Sequence, residues 1–225
     1  MKNIFVIPGY GIPKDILKDE QQKRYLGLVF NYIFQFCLDN KETRPLIIFC
    51  GGNTDIFKPY KRTEAKELKK LFLTLAKRSF VKNYTKNWQY KLREKSLSTL
   101  ENILEANKII KKIKGKKSIY FFTEKTLEFK VKRLAREILK TNFKVIALDF
   151  DLSINRYRNP DFINKKESLD IKLALKSLRD RKFFNRYREL LKEKIEYLRK
   201  AKAKHHQEAI YKWWQSKIKE LEKIK

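Results

Sequence analysis

Glycine residues follow the first two apolar runs of the sequence, at places where a chain usually turns. They are Gly9, Gly11, Gly51 and Gly52. Because glycine has no Cβ and tolerates positive φ, the backbone at such turns can approach a ligand closely. Neither loop has the GxGxxG spacing of a dinucleotide turn, and the sequence contains no P-loop, zinc-ligand spacing or serine-hydrolase elbow. The glycines therefore predict a ligand site without identifying its ligand.

Polar side chains downstream of the second glycine pair complete the candidate site. Glu64 carries a carboxylate suited to general acid–base chemistry or to binding a ligand hydroxyl, and it is the candidate catalytic residue. The alternative is structural, because a carboxylate in the first turn of a helix is stabilised by the helix dipole. The other candidate ligand-binding residues in this stretch are Asn53, Ser96, Thr99 and Asn102.

The stretch around Ser98 has the sequence of a helix start. Ser98 and Glu101 have the spacing of a capping box, which explains both residues without a ligand. Capping does not require Thr99 or Asn102. Because Asn102 lies one helical turn after Ser98, both side chains are expected to face one cleft. Two roles for Asn102 stay open, which are ligand binding and the fastening of two loops by a buried amide.

Neither the cysteines nor the histidines form a recognisable catalytic or metal site. Cys50 directly precedes the second glycine pair, where nucleophiles occur, but no histidine lies near it, and core packing is the favoured interpretation. His205 and His206 would point apart on a helix, and no third ligand accompanies them, so no metal is expected. With Cys37 as the only other cysteine, a disulfide framework beyond one bridge is excluded.

Apolar runs and helical patterns alternate from residue 3 to residue 150. The predicted strands cover residues 4–7, 45–50, 88–92, 118–123 and 145–150. The predicted helices cover residues 19–39, 63–78, 98–114 and 125–140. This alternation implies parallel strands joined by right-handed crossovers, with strands buried on both faces. The sequence therefore predicts an α/β fold with a three-layer, doubly wound, largely parallel sheet, which is Rossmann-like and binds ligands at the carboxyl ends of its strands.

A different pattern begins near the end of the predicted sheet. Beyond residue 160 the apolar residues recur only at helical spacing, which predicts two or three helices and no strand. The predicted domains are therefore an α/β domain, residues 1–152, and a basic helical extension, residues 160–225. Trp213 and Trp214 lie among lysines in this extension. They either pack as part of a core-facing stripe, which is the favoured interpretation, or stack on bases or enter a membrane interface.

The chain is strongly basic. Its 225 residues include 55 Lys and Arg against 26 Asp and Glu, a formal net charge of +29. One explanation is a polyanionic partner, either nucleic acid bound by the helical extension or an anionic membrane contacted peripherally. The other is a codon bias toward lysine, because the lysines are spread along the whole chain. Since no apolar run is long enough for a signal sequence or a transmembrane segment, a cytoplasmic location is expected.

Three motifs resemble the YdcF-like family of α/β proteins, which includes the envelope-associated SanA and ElyC proteins. They are FCGG at residues 49–52, TEA at residues 63–65 and EKSLSTLENI at residues 94–103. The third motif is the specific one, and in it Ser98 stands where the family usually has Asn. The similarity extends over residues 3–150 in order and spacing, and it includes Thr123 at the end of the fourth predicted strand.

The resemblance implies a Rossmann-like fold with a polar site at the carboxyl ends of the strands, to which it adds Thr123 and Lys130. The implied ligand is a small anionic or nucleotide-like molecule, such as S-adenosylmethionine or an envelope precursor, with Lys130 or Arg133 opposite an anionic group. The family usually has an aromatic-His pair and then an Arg after the fourth strand. This chain has Thr126, Leu127 and Lys130 there. The resemblance therefore predicts binding and leaves catalysis open.

Overall fold

The computed structural model describes residues 1–9, 11–149, 160–201 and 206–221. The chain forms two compact units. The first contains Met1–Asp55 and Tyr60–Phe150, and the second contains Ile56–Pro59 and Asp151–Lys225. The first unit carries a β-sheet and the second carries helices, so the two kinds of sequence pattern correspond to two kinds of structure.

A five-stranded sheet forms the centre of the first unit. Its strands are β1 (Lys2–Pro8), β2 (Leu46–Cys50), β3 (Gln89–Arg93), β4 (Lys117–Glu124) and β5 (Phe143–Leu148). Neighbouring strands are parallel, and their spatial order is β3-β2-β1-β4-β5. Because β1 and β2 are covered on both faces, they are continuous apolar runs without polar alternation.

Helices cover both faces of this sheet. They are α1 (Glu20–Asp39), α2 (Glu64–Ala76), α3 (Lys82–Thr85), α4 (Thr99–Ile110) and α5 (Glu128–Leu139). Helices α1 and α2 share one hydrophobic cluster with alternate residues of β1 and β2, while α4 and α5 pack together against the strands from the other side. The predicted three-layer, doubly wound α/β fold is confirmed. Its strand order reverses between β1 and β4, which is where such folds open a crevice.

Side-chain caps define where the first helices begin. Asp19 accepts a hydrogen bond from the backbone N–H of Gln22 at the start of α1. Thr63 accepts one from the backbone N–H of Lys66 at the start of α2. Each capping side chain satisfies one of the N–H groups that the first helical turn leaves without an intrahelical partner. The predicted helix starts at residues 19 and 63 are therefore caps, and the helices proper begin one residue later.

The remaining differences from the predicted elements are local. The predicted helix 125–140 begins with a 3-10 turn, Lys125–Leu127, and it ends where Lys140 adopts the left-handed conformation with φ of 49°. Strand β5 begins at Phe143, two residues before the predicted start, and the predicted last residue, Phe150, lies outside the described residues. Helix α3 has only four residues, too few to show a periodic apolar pattern, so the sequence does not predict it.

Aromatic side chains dominate the core between the sheet and helices α1 and α2. Phe5 is fully buried, and its ring centroid lies 5.4 Å from that of Phe36, 5.0 Å from that of Tyr120 and 6.2 Å from that of Phe122. Ring pairs at these separations contribute beyond their buried area, whether stacked or edge-on. The central strand is thereby fastened to α1 and β4 through one side chain.

The helices of the second unit are α6 (Pro160–Arg179), α7 (Arg181–Lys200) and α8 (His206–Leu221). All three helices contact one another. Asp180 caps α7 by accepting hydrogen bonds from the backbone N–H groups of Lys182 and Phe183. Trp213 is 4% exposed and Trp214 is 1% exposed. Both indoles are buried, as the packing interpretation requires. His205 lies outside the described residues, as does the side chain of its neighbour.

A buried polar cluster accompanies the tryptophans in this unit. The Tyr187 hydroxyl donates to Asp170, and the Lys166 ammonium pairs with Glu167. The same ammonium lies 5.2 Å from the ring centroid of Trp214, a cation–π separation. Buried charges are tolerated when each has such partners. Because these contacts are directional, they favour one packing arrangement of the three helices over alternative arrangements.

Within the described residues, no helix is long and apolar enough to cross a membrane.

Truncating Phe5 tests the packing of the central strand. We expect Phe5→Ala to lower the free energy of unfolding by about 3 to 5 kcal/mol, because a buried ring is replaced by a cavity. Phe129→Ala is the matched control, since Phe129 is 73% exposed and its loss should change stability by less than about 0.5 kcal/mol. Urea unfolding of both variants measures the difference. Equal stability of the two variants would contradict this packing.

Candidate functional site

The loops after β1 and β2 begin side by side at the carboxyl edge of the sheet. Pro8 is level with Cys50, and Cys50 is level with Arg93. On the other side of β1, Val6 pairs with Phe121, so continuing this register by two residues brings Thr123 level with Pro8. Since neighbouring strands lie about 4.8 Å apart, the four strand ends span roughly 15 Å. The predicted glycine loops are therefore adjacent.

Glu64 lies between these two loops. It is the first residue of α2 and only 8% exposed. Its Oε1 accepts a hydrogen bond of 2.9 Å from the backbone N–H of Gly11 and one of 2.6 Å from the Thr54 hydroxyl. The carboxylate thus joins the loop after β1 to the loop after β2. Hydrogen bonds to an ionised acceptor are stronger than neutral ones, so this contact orders both loops.

Two of the predicted glycines make room for this carboxylate. A Cβ placed on Gly9 would lie 1.9 Å from Glu64 Oε2, and one placed on Gly51 would lie 2.5 Å from both Oε2 and Cβ of Glu64. Neither separation is compatible with a side chain. Glycine is therefore required at both positions by the close approach of Glu64, whether or not a ligand is bound.

The second glycine of the pair meets the loop after β3 instead. The backbone N–H of Gly52 donates to the carbonyl of Ser96 over 2.6 Å, and a Cβ on Gly52 would lie 2.4 Å from that same oxygen. On the other side, the Gly52 carbonyl accepts from the backbone N–H of Glu64, and the Gly51 carbonyl accepts from that of Ala65. The glycine pair therefore connects the start of α2 to the loop after β3.

Ser96 and Asn102 form a buried hydrogen bond beside this loop. The Ser96 hydroxyl donates to Asn102 Oδ1 over 2.5 Å, and the two residues are 1% and 6% exposed. Ser98 caps α4 by accepting from the backbone N–H of Glu101, as the capping box predicts. The Glu101 carboxylate, however, accepts from the backbone N–H of Leu97, one residue before the cap. Through its hydrogen bond with Ser96, the side-chain amide of Asn102 fastens the loop after β3 to α4.

The other predicted site residues differ in their surroundings. Asn53 donates through its side-chain amide to the carbonyl of Tyr60 over 2.6 Å, which closes the loop after β2 on itself. Thr99 is partly exposed in the first turn of α4. Thr123 is 1% exposed at the end of β4, and Lys130 is 5% exposed in the first turn of α5. These last two lie across β1 from Glu64, on the far side of the strand-order reversal.

An ion pair with a buried carboxylate supports the same loops and was not predicted from the sequence. Asp55 is fully buried, and its two carboxylate oxygens accept from Nε and Nη2 of Arg62 over 3.0 and 2.8 Å. Arg62 also donates to the carbonyls of Pro13 and Lys14 in the loop after β1. Neither residue belongs to a recognisable motif. The only sequence signal is an acidic and a basic residue flanking one polar loop.

A second unpredicted contact joins two of the sequence motifs. Besides capping α2, the Thr63 hydroxyl donates to Glu94 Oε2 over 2.8 Å, and the Lys66 ammonium lies 3.1 Å from the same oxygen. Thr63 precedes Glu64 directly, and Glu94 opens the loop that contains Ser96. The residues of the two motifs are therefore held together by side-chain contacts as well as by the sheet.

Cys50 does not have the surroundings of a nucleophile. Its side chain is fully buried, and burial raises the pKa of the thiol. Burial also raises the pKa of Cys37 to about 12. Reactive cysteines need a stabilised thiolate and access to solvent. Among the described residues no group of His, Cys, Asp and Glu side chains has the arrangement of a metal site.

The candidate site residues fall into two groups by exposure. Those that are buried are Glu64, Ser96, Asn102, Thr123 and Lys130. Those that are partly exposed are Gly9, Gly11, Asn53, Thr54 and Thr99. The buried group carries a carboxylate, hydroxyls, an amide and an ammonium group, which are the kinds of group that orient a small polar ligand.

Comparison of the chain with protein-family models, with curated proteins and with solved structures finds no match.

Replacing glycine by alanine at two positions tests the close approach of the loops. We expect Gly52→Ala to destabilise the protein by more than about 1 kcal/mol, because the new Cβ would meet the backbone carbonyl of Ser96. Gly27→Ala is the matched control, because Gly27 lies within α1 with nothing within 4 Å of a new Cβ. That variant should be stabilised by about 0.4 to 1 kcal/mol. Opposite signs in urea unfolding support the geometry, and equal signs contradict it.

The thiol surroundings give a second test. Because burial keeps both thiols protonated and covered, Cys37 and Cys50 should not react with a disulfide reagent at pH 8 in the folded protein. Both should react at once in concentrated guanidinium, which is the positive control. Rapid reaction of one thiol in the folded protein would contradict this. If its rate also increased with pH and levelled off below pH 8, as for a stabilised thiolate, it would show a nucleophilic cysteine.

Proposed function

We propose that the chain is a YdcF-like protein that binds a small nucleotide-like or anionic ligand at the carboxyl ends of the strands. The observation that carries this proposal is that hydrogen bonds connect the loops after β1, β2 and β3 around the start of α2. These loops follow three different strands, yet hydrogen bonds join them through Glu64, Gly52 and Ser96. Loops that are ordered before a ligand arrives lose less entropy on binding.

The charges of Glu64 and Lys130 support a ligand with two chemically different ends. Glu64 places a carboxylate beside the glycine loops, where a hydroxyl or ammonium group of a ligand is favoured over a phosphate. Lys130 places an ammonium group on the other side of β1, where an anionic group is favoured. Nucleotide-like molecules such as S-adenosylmethionine carry hydroxyl, ammonium and carboxylate groups. This pairing of charges favours them over a simple anion.

Glu64 has two possible roles, which are general acid–base catalysis and the ordering of the loops, and its contacts favour the second. A general acid or base must reach the proton that it transfers. Glu64 Oε1 already accepts from Gly11 and Thr54 and is almost fully covered. Ordering of the loops is therefore the role that these contacts favour, and the proposed function is binding. The same contacts support Ser96 and Asn102 as residues that shape the site.

Isothermal titration of the purified chain with S-adenosylmethionine, preceded by native mass spectrometry for co-purified ligand, tests this proposal. We expect a stoichiometric complex and a loss of affinity of about tenfold or more in Glu64→Gln, because a charge-assisted contact is replaced by a neutral one. Glutamine keeps the shape and an acceptor oxygen, so the fold should be retained. Glu20→Gln is the matched control, since Glu20 is an exposed carboxylate in the first turn of α1.

The outcomes separate the site from its ligand. Equal ligand affinity of wild type, Glu64→Gln and Glu20→Gln would place the ligand elsewhere and overturn the site. A different nucleotide-like molecule that co-purifies with wild type and is lost from Glu64→Gln would keep the site and replace S-adenosylmethionine. Absence of any bound or titratable small molecule, with folding confirmed by circular dichroism, would overturn the proposed function.

A further inference from the structure

A basic segment without acidic residues connects α2 to β3. Residues 68–93 contain eight Lys and Arg and no Asp or Glu, whereas the average over the chain would place about three acidic residues in a stretch of this length. The eight are Lys69, Lys70, Lys77, Arg78, Lys82, Lys86, Lys91 and Arg93. A local excess of one sign of charge concentrates counterions of the other sign around it.

The middle of this segment, residues 77–86, is a compact turn that we call the basic aromatic turn. Val81 and Thr85 are its buried side, with 2% and 5% exposure. The Thr85 hydroxyl donates to the carbonyl of Ala76 over 2.8 Å, and the backbone N–H groups of Val81 and Lys82 donate to the carbonyl of Arg78. These hydrogen bonds fix the backbone of the turn to the end of α2.

Two aromatic rings lie on the outer side of this turn. Phe80 is 71% exposed and Tyr84 is 59% exposed. They are four residues apart, and so are the buried residues Val81 and Thr85, so each pair occupies one side of the turn. The Tyr84 ring stands edge-on to Phe34 of α1 at 5.8 Å, and Phe80 has no ring contact with any described residue. Because both rings are mostly exposed, they contribute little to the core.

Cations flank these rings along the chain and have no neutralising partners. Lys77, Arg78, Lys82 and Lys86 are exposed, and none of the four has a salt bridge or side-chain hydrogen bond within the described part of the chain. Some lysines on other helices are paired, as Lys125 and Lys132 are with Glu128, or Lys192 with Glu189. The basic aromatic turn therefore combines four exposed, uncompensated cations with two exposed rings.

We propose that the basic aromatic turn binds single-stranded nucleic acid. Lysine and arginine side chains neutralise phosphates, and exposed rings stack on bases, which is the combination that single-strand binding requires. A duplex hides the faces of its bases, so Phe80 and Tyr84 would have nothing to stack on. Since the rings offer no hydrogen-bond pattern, the binding is tolerant of sequence.

This surface lies away from the proposed ligand site. Helix α2 begins at Glu64 on the carboxyl edge of the sheet, and its 13 residues extend about 20 Å towards the opposite edge. There the backbone N–H of Gln89, just after the turn, donates to the carbonyl of Pro45 at the start of β2. Binding at the turn therefore does not depend on the ligand site, and the failure of one proposal leaves the other intact.

The location differs from the nucleic-acid site predicted in the helical extension. Residues 160–225 contain 20 Lys and Arg and 10 Asp and Glu, almost the same ratio as in the whole chain. Trp213 and Trp214, for which base stacking was the alternative to packing, are buried and present no face for stacking. Exposed rings and uncompensated cations occur together in the basic aromatic turn.

Fluorescence anisotropy with a labelled oligouridine of about 16 nucleotides tests the proposal on the full chain. We expect binding that weakens as salt rises from about 50 to about 200 mM. Phe80→Ala with Tyr84→Ala should weaken it by about tenfold or more without changing the salt dependence, because stacking is lost. Lys82→Ala with Lys86→Ala should lower the slope of log affinity against log salt by about 1.4, because two phosphate contacts are lost.

Matched variants control for charge and for exposed aromatic area. Lys111→Ala with Lys112→Ala removes two exposed lysines at the end of α4, and Phe129→Ala removes an exposed ring on α5. Neither should change the affinity or the slope. If the Lys111 and Lys112 variant loses as much as the Lys82 and Lys86 variant, the binding is general attraction to a basic chain and the proposal is wrong.

Two further outcomes also overturn it. A duplex of the same length that binds as tightly as the single strand, with the ring variant unaffected, would show phosphate binding without stacking. Co-sedimentation with vesicles of phosphatidylserine and phosphatidylcholine that requires Phe80 and Tyr84, while oligouridine does not bind, would assign the turn to a membrane surface instead. Urea unfolding of each variant should give the wild-type midpoint, since every substituted side chain is exposed.

Discussion

The close packing of one carboxylate against two glycine backbones is the contact on which the candidate site depends. Glu64 reaches Gly11 because Gly9 and Gly51 have no side chains in its path. The backbone of Glu64 in turn donates to Gly52, which fixes the start of α2 on the loop after β2. One residue thus sets both where the helix begins and how near the first two loops approach. Its charge is also favoured by the dipole of the helix that it opens.

Contacts within the chain account for several residues that had both a structural and a ligand-binding interpretation. Asn102 binds Ser96, so its amide already has the loop-fastening role that was one of its two predicted roles. The Glu101 carboxylate accepts a hydrogen bond from the backbone N–H of Leu97, and the backbone N–H of Glu101 donates to the capping hydroxyl of Ser98. Structural and functional roles are compatible here, because a ligand gains affinity from loops that are ordered in advance. The ordering of these loops also explains why so many polar groups of the candidate site are buried.

The sequence was informative where a pattern is local and periodic. Four apolar runs and one alternating stretch, residues 88–92, predicted the five strands. The cap at Thr63 and the capping box at Ser98 predicted two helix starts. It was silent where the determinant is a contact between distant positions. Asp55 is buried against the partly exposed Arg62 only because two loops meet, and neither position has a periodic neighbour that signals this contact. The length of α3, at four residues, is below the range in which periodicity is detectable.

Exposure separates side chains that composition alone groups together. Trp213, Trp214, Phe80 and Tyr84 all lie among lysines in the sequence, and each pair satisfied the pattern of aromatics interleaved with basic residues. In the structure the tryptophans are buried and the other two rings face outward. A stacking surface needs an accessible ring face, whereas a core needs a covered one. The difference arises because Val81 and Thr85 occupy the inward side of the turn, which leaves Phe80 and Tyr84 only the outward one.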